Sequence, residues 1–184
     1  MGKTLQLRVS LRYLKPPIWR RIVVPSSLNL AELHAVIQGA MGWMDDHLHM
    51  FTIGGQRYAI PHDDSCPDPR EKDERKHKLG GLAKKGKKFD YIYDFGDCWR
   101  HSIAVEDVKM GADDDPPKCI AGKRACPPED CGGARGYARL LAALSGDAQA
   151  GAEDFEEWEL RPERFELSKA NRQIGHMLEL YRKQ

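Results

Sequence analysis

Histidines and aspartates recur at spacings that could gather them into a metal or acid–base site. His47 and His49 are two residues apart, so on a strand both side chains fall on one face. Asp94 and Asp97 bracket Phe95-Gly96, and His101 follows. Imidazoles beside carboxylates supply the nitrogen and oxygen ligands of a divalent cation, or a general base with its acid. Glu129 and Asp130 are the further carboxylates that would join them. The plainer alternative is a solvated histidine pair and an Asx-type turn at Asp94.

Three other groups carry chemistry of their own. Cys119, Cys126 and Cys131 could hold zinc, with Cys98 or His101 completing a tetrahedron, but they lack the Cys-x2-Cys knuckle of common zinc sites. Small buried thiols are the alternative. Gly132, Gly133 and Arg135 lie just before a helical segment, where free N–H groups and a guanidinium could hold an anion or ligand. No Walker or dinucleotide fingerprint accompanies them, and a Gly-rich bend explains them equally. Arg8, Arg12, Arg20, Arg21 and the Lys84–Lys88 run, with Tyr91 and Tyr93, could contact a nucleic-acid backbone and stack a base. Against that stand a solvated lysine turn and an aromatic face belonging to the core.

The elements that must position these residues are legible from periodicity. Leu5, Leu7, Val9 and Leu11 alternate with polar residues, giving a strand with one wet face. Residues 18–24 form a second strand, stopped by Pro25. Asn29 and Glu32 read as a capping box for a helix carrying Leu30, Leu33, Ile37, Ala40 and Met41, closed by Gly42. Gly54-Gly55 joins strands over 48–53 and 56–60. Phe89, Tyr91, Tyr93 and Phe95 form an aromatic strand face. Its partner over 98–108 places Trp99, His101, Ile103 and Val105 together. Residues 61–78, almost wholly polar, read as a mobile charged loop, and 119–136 as an irregular segment. Helices follow near Tyr137–Leu144, near Phe155–Trp158, and from Ser168 onward. Hairpins followed by segregated helices predict an α+β fold in one domain over 1–184. We expect a mixed or antiparallel sheet of about five to seven strands, with helices on one side.

Composition narrows the classes. Lys+Arg is 29 against Asp+Glu 28 in 184 residues, so the chain is no strongly basic coat for phosphate backbones. No run approaches a membrane span, and no membrane partner is expected. The N-terminus lacks a signal-peptide core, which predicts a cytoplasmic protein. Five cysteines without a secretory signal argue against a disulfide framework.

Four strings carry a family resemblance: KPPIWRRIVVP at 15–25, LAELHAVIQGAMGWMDDHLHMF at 30–51, YDFGDCWRH at 93–101 and CIAGKRACPPEDCGG at 119–133. Together they resemble the plasmid pRiA4b ORF-3-like family, also labelled passenger TnpR-type proteins of an insertion element. The matching positions include Pro17, Trp19, Arg20, Arg21, Trp43, His47, His49, Asp94, Gly96, Asp97, Trp99, His101, Cys119, Cys126, Pro127, Pro128, Glu129, Asp130, Gly132 and Gly133. Cys98 and Cys131 fall outside the pattern. The resemblance implies one α+β domain with no established activity and a link to plasmids and transposable elements. It does not imply resolvase chemistry, because no serine stands among clustered arginines. The expectation is a cytoplasmic, mobile-element-associated accessory or binding protein with a nucleic-acid or protein partner. The competing expectation is a metal-dependent hydrolase or nuclease-like enzyme. Its catalytic candidates are His47, His49, Asp94, Asp97, His101 and Glu129, and its cofactor a divalent metal.

Overall fold

Alternation builds the sheet as the periodicity predicts. In β1 (Gly2–Leu11), Leu5, Leu7, Val9 and Leu11 are buried while Gln6, Arg8 and Ser10 are not. β1 lies between β2 (Trp19–Pro25) and β7 (Trp99–Gly111), antiparallel to both, so that Leu7 faces Ile22 on one side and Val105 on the other. β6 (Lys88–Tyr93) pairs with β7, β3 (His49–Ile53) with β6, and β4 (Gln56–Ala59) with β3 through the Gly54-Gly55 turn. The computed structural model describes residues 2–61, 70–112, 115–147 and 161–183. The expected helix at Phe155–Trp158 lies outside the described residues, as does 62–69 of the expected loop.

The sheet has eight strands in the order β5-β4-β3-β6-β7-β1-β2-β8, more than the five to seven expected. The two extra strands are its edges. β5 (Glu71–Asp73) runs parallel to β4 inside the stretch read as a mobile loop, and β8 (Lys118–Lys123) pairs with β2 at the start of the stretch read as irregular. Edge strands need only backbone pairing and carry charge at little cost, so hydropathy alternation does not mark them. A 3-10 turn (Glu74–Lys76) and a short helix, α2 (Leu79–Leu82), follow β5.

One face of the sheet is covered. In α1 (Leu30–Met41) every residue but Glu32 is buried, because the helix lies between the sheet and α4 (Leu167–Tyr181). The Asn29–Glu32 capping box forms, and Gly42 ends α1 in the left-handed conformation at φ 98°. α4 buries Ala170, Ile174, Met177 and Leu178, the spacing of one helical face. Its axis comes so close to α1 that a Cβ on Gly39 would sit 2.6 Å from Ile174 Cα. α3 (Gly133–Leu144) buries Tyr137 and Leu140 in the same core. The opposite sheet face carries Arg8, Ser10, Trp19, Arg21, Asp90, Ile92, Arg100 and Ser102, none of them buried. Phe95, expected on the aromatic core face, is instead exposed in the turn after β6.

Candidate functional site

Three segments far apart in the chain meet at one end of the sheet. The first is the loop from Gly42 to Leu48 between α1 and β3. The second is the β6–β7 turn, where Asp94 Oδ1 accepts from the N–H groups of Gly96 (2.8 Å) and Asp97 (3.2 Å). That is the Asx-type turn, with Asp94 itself at φ 56°. The third is the loop from Ala125 to Gly132 leading into α3. Trp43 Nε1 donates to Pro127 O (3.0 Å) and the Met44 N–H to Glu129 Oε2 (2.9 Å). Tyr93 donates its hydroxyl to Glu129 Oε1, and the Gly132 N–H donates to Asp97 Oδ2 (3.1 Å). The approach leaves no room at Gly133, where a Cβ would collide with the Asp97 carbonyl.

At the centre of this seam stands His47. Its Nε2 lies 3.2 Å from Asp130 Oδ1 and 3.9 Å from Asp94 Oδ2. It is shielded from solvent, yet it makes no hydrogen bond of normal geometry to either carboxylate. The burial is graded, with the Asp94 side chain 9% exposed, His47 27% and Asp130 74%. Ligands about 2.0–2.2 Å from one ion stand roughly 3–3.5 Å apart. The His47–Asp130 spacing fits that, while the 3.9 Å to Asp94 requires a small inward shift on binding. Asp130 at φ 57° shares with Asp94 a backbone region that non-glycine residues seldom adopt.

Asp97 and Glu129 reach the same seam; Glu129 is bonded through both oxygens to Tyr93 and Met44, and Asp97 through Oδ2 to Gly132. His49 and His101 point into the core instead. β3 begins at His49, so His47 sits before the strand and the two side chains part company. His49 Nε2 bonds Glu74 Oε1 (2.9 Å), and its ring stacks on His34 at 3.4 Å. His34 in turn bonds Asp45 Oδ1 through Nε2 (2.6 Å) and the Tyr91 hydroxyl through Nδ1 (2.8 Å). Gln38 Nε2 donates to the same hydroxyl (3.0 Å).

His34, Asp45 and His49 lie close enough to hold an ion. Their geometry speaks against it: parallel rings aim their lone pairs along separate planes, and His49 Nε2 is already bonded to Glu74, outside the group. Burial holds the His34 imidazole neutral, lowering its pKa to about 4, with His49 adding repulsion. His101 is fully buried and pushed down to about 3 by desolvation. The backbone of Trp99 and Tyr91 lies nearby, but neither ring nitrogen closes a well-formed hydrogen bond. Burial likewise pushes the Tyr91 hydroxyl well above its usual range.

Sequence reasoning missed His34 and Glu74 as partners of this network. His34 had a signal, a polar residue on the apolar stripe of α1. Glu74 had none, standing in a run of charged residues.

The remaining candidates separate. The Cys119 thiol donates to Ala121 O (3.3 Å), and the Sγ atoms of Cys119, Cys126 and Cys131 do not all lie within 4.8 Å of one another. Burial raises all three thiols, Cys131 to about 12. The four described cysteines are free. At the start of α3 the Asp97 carboxylate already accepts from the Gly132 N–H, and Arg135 is exposed. No helix among the described residues is long and apolar enough to cross a membrane.

Known proteins share this architecture. The uncharacterized protein y4hQ of Sinorhizobium fredii is 34% identical over 159 residues, covering 86% of this chain and 81% of that protein. The crystal structure of MM3350, a protein of unknown function from Methanosarcina mazei Go1, is similar with a TM-score of 0.81 and 33% identity. The match covers 91% of this chain and 97% of that one. The family model described as plasmid pRiA4b ORF-3-like protein matches residues 3–173, and the chain belongs to that family.

Proposed function

We propose that the protein is a cytoplasmic accessory or binding protein that takes one divalent cation through His47 Nε2, Asp94 Oδ2 and Asp130 Oδ1. One observation carries the reading: a shielded imidazole nitrogen stands beside two carboxylate oxygens without a hydrogen bond to either. With the proton on Nδ1, the Nε2 lone pair is available to an ion. One nitrogen and two oxygens suit zinc or manganese, and three protein ligands leave positions for water or a partner's oxygen. The metal-dependent hydrolase or nuclease-like reading needs a free general base beside the ion. Glu129 is engaged through both oxygens in holding the loops together, and Asp97 through one, which leaves Asp97 Oδ1 as the group the hydrolase reading would use.

Titration calorimetry of chelator-treated protein with zinc and with manganese tests the reading. One site per chain, lost in His47→Ala, is the expected result. Absence of stoichiometric binding by either metal overturns it.

A second reading rests on the sheet face opposite α1 and α4. Arg8 lies 4.5 Å over the Trp19 ring and Arg21 5.4 Å from it, with Arg100 and Lys88 on neighbouring strands of that face. Arg21 is paired with Glu106 at 2.6 Å, so Arg8, Arg100 and Lys88 are the cations that, beside Trp19, suit single-stranded nucleic acid, in keeping with a mobile-element association. Anisotropy of a labelled single-stranded oligonucleotide at low salt, compared with Trp19→Ala, checks it. No binding at low salt removes this reading.

A further inference from the structure

A cavity of about 500 Å³ is lined on one side by the Ala125–Glu129 loop. Its inner wall includes Arg20, 2% exposed, and its mouth includes Arg161 and Lys169, both exposed. Arg20 enters the core from β2 at a position whose neighbours across the sheet, Val9 and Gly122, are uncharged. Its Nε donates to Ala40 O (2.9 Å), and its Nη1 to Trp19 O (2.9 Å) and Lys123 O (3.1 Å). The guanidinium lies 4.3 Å over the Phe165 ring. Gly122 makes this cradle possible, since a Cβ there would sit 2.7 Å from Phe165 and 3.0 Å from Arg20 Cδ.

Among the described residues no carboxylate stands at ion-pair distance from Arg20. The other buried arginine, Arg124, has Glu163 at 2.7 Å. Cys119 and Cys126 lie near Arg20, but burial keeps both as neutral thiols. The acids around the cavity are spent as well. Glu166 pairs with Arg164 at 2.9 Å, and both Glu129 oxygens are bonded to Tyr93 and Met44. A buried cation without an anion is costly, and buried charges are normally paired. Here three of the five guanidinium N–H groups are fixed by backbone carbonyls. That pre-orients the head and leaves Nη2 for an incoming group.

We propose that this cavity binds a small phosphate monoester, with Arg20 as the buried anchor and Arg161 and Lys169 at the mouth. The two N–H groups left on Arg20 Nη2 can donate to phosphate oxygens, and two further cations suit a dianion. The cavity is large enough for an organic body beyond the phosphate, and the Trp43, Pro127 and Phe165 walls give that body an apolar surface. The site shares no ligand with the cation centre, so it stands or falls separately.

Calorimetry of the full chain with ribose 5-phosphate, inorganic phosphate and citrate tests it. Ribose 5-phosphate is expected to bind at roughly millimolar affinity or better, and inorganic phosphate about tenfold more weakly. Lys169→Glu and Arg161→Glu should each weaken ribose 5-phosphate by about tenfold while leaving the thermal midpoint of the free protein unchanged. Arg20→Met should abolish binding. Because Arg20 is buried, the two mouth variants keep the test decisive if that variant does not fold. No heat with either phosphate compound, or equal affinity in both mouth variants and wild type, overturns the site. Citrate binding as tightly as ribose 5-phosphate overturns the phosphate assignment.

Discussion

The imidazoles of His34 and His49 lie face to face, with centroids 3.4 Å apart and planes 9° from parallel. Each is tied to a different carboxylate, Asp45 for His34 and Glu74 for His49. The pair joins α1 to β3, and its partners bring in the loop before β3 and the 3-10 turn after β5.

That arrangement has a pH signature. The His34 pKa is lowered from 6.5 to about 4, so between those values the unfolded chain binds a proton that the folded chain refuses. Stability therefore falls as pH drops from 6.5 and levels off below 4. By this group alone the loss approaches about 3 kcal/mol. His101, lowered to about 3, steepens the same limb. Denaturant titrations across this range should show the decline, and His101→Phe should make it shallower. A flat profile would refute the assignment.

Glu74 is fully buried, and it meets His49 through one oxygen. Glu74→Ala leaves that imidazole without its partner in the core. A loss of about 1–3 kcal/mol in chemical denaturation is expected.

Asn29 accepts from the Glu32 N–H (2.8 Å), and Glu32 accepts from the Asn29 N–H (3.1 Å). Asn29→Ala should cost about 1 kcal/mol in the same assay.

Gly39 allows α4 to cross α1 at backbone contact. Gly39→Leu must push the helices apart, and a lowered thermal midpoint, corresponding to roughly 1–3 kcal/mol, is expected. A midpoint equal to wild type would contradict the packing.

Asp94 and Asp130 should separate in their effects. Asp130 is 74% exposed, so Asp130→Asn should weaken zinc or manganese at least about tenfold while leaving the thermal midpoint in place. Asp94 also holds the β6–β7 turn, so Asp94→Ala should lower both affinity and midpoint.

Much of the architecture was legible from local pattern. The alternation in β1, the Gly54-Gly55 hairpin, the capping box and the apolar stripe of α4 each depend on residues close in sequence. The six inner strands followed from them. The edge strands β5 and β8 did not, because a backbone that pairs on only one side imposes almost no hydropathy on its residues. The same reasoning found the segments that meet at the rim but misjudged two of their histidines. His47 and His49 share a face only if both lie in the strand, and the strand starts at His49.

The amino-acid order by itself determined the α+β class, the main hairpins, both ends of α1 and the family, since these rest on short-range periodicity, capping and quoted strings. α3 and α4 begin at Gly133 and Leu167, before the expected Tyr137 and Ser168, because no side chain caps either start. Tertiary structure alone decided that His47 meets Asp94 and Asp130, that His34 stacks on His49, and that Arg20 enters the core with no carboxylate of the described residues at ion-pair distance. Those pairings join residues tens of positions apart. They are set by where strand β3 begins, how close two helices approach, and which loops hydrogen bonds draw together, none of which is written in any local run of residues.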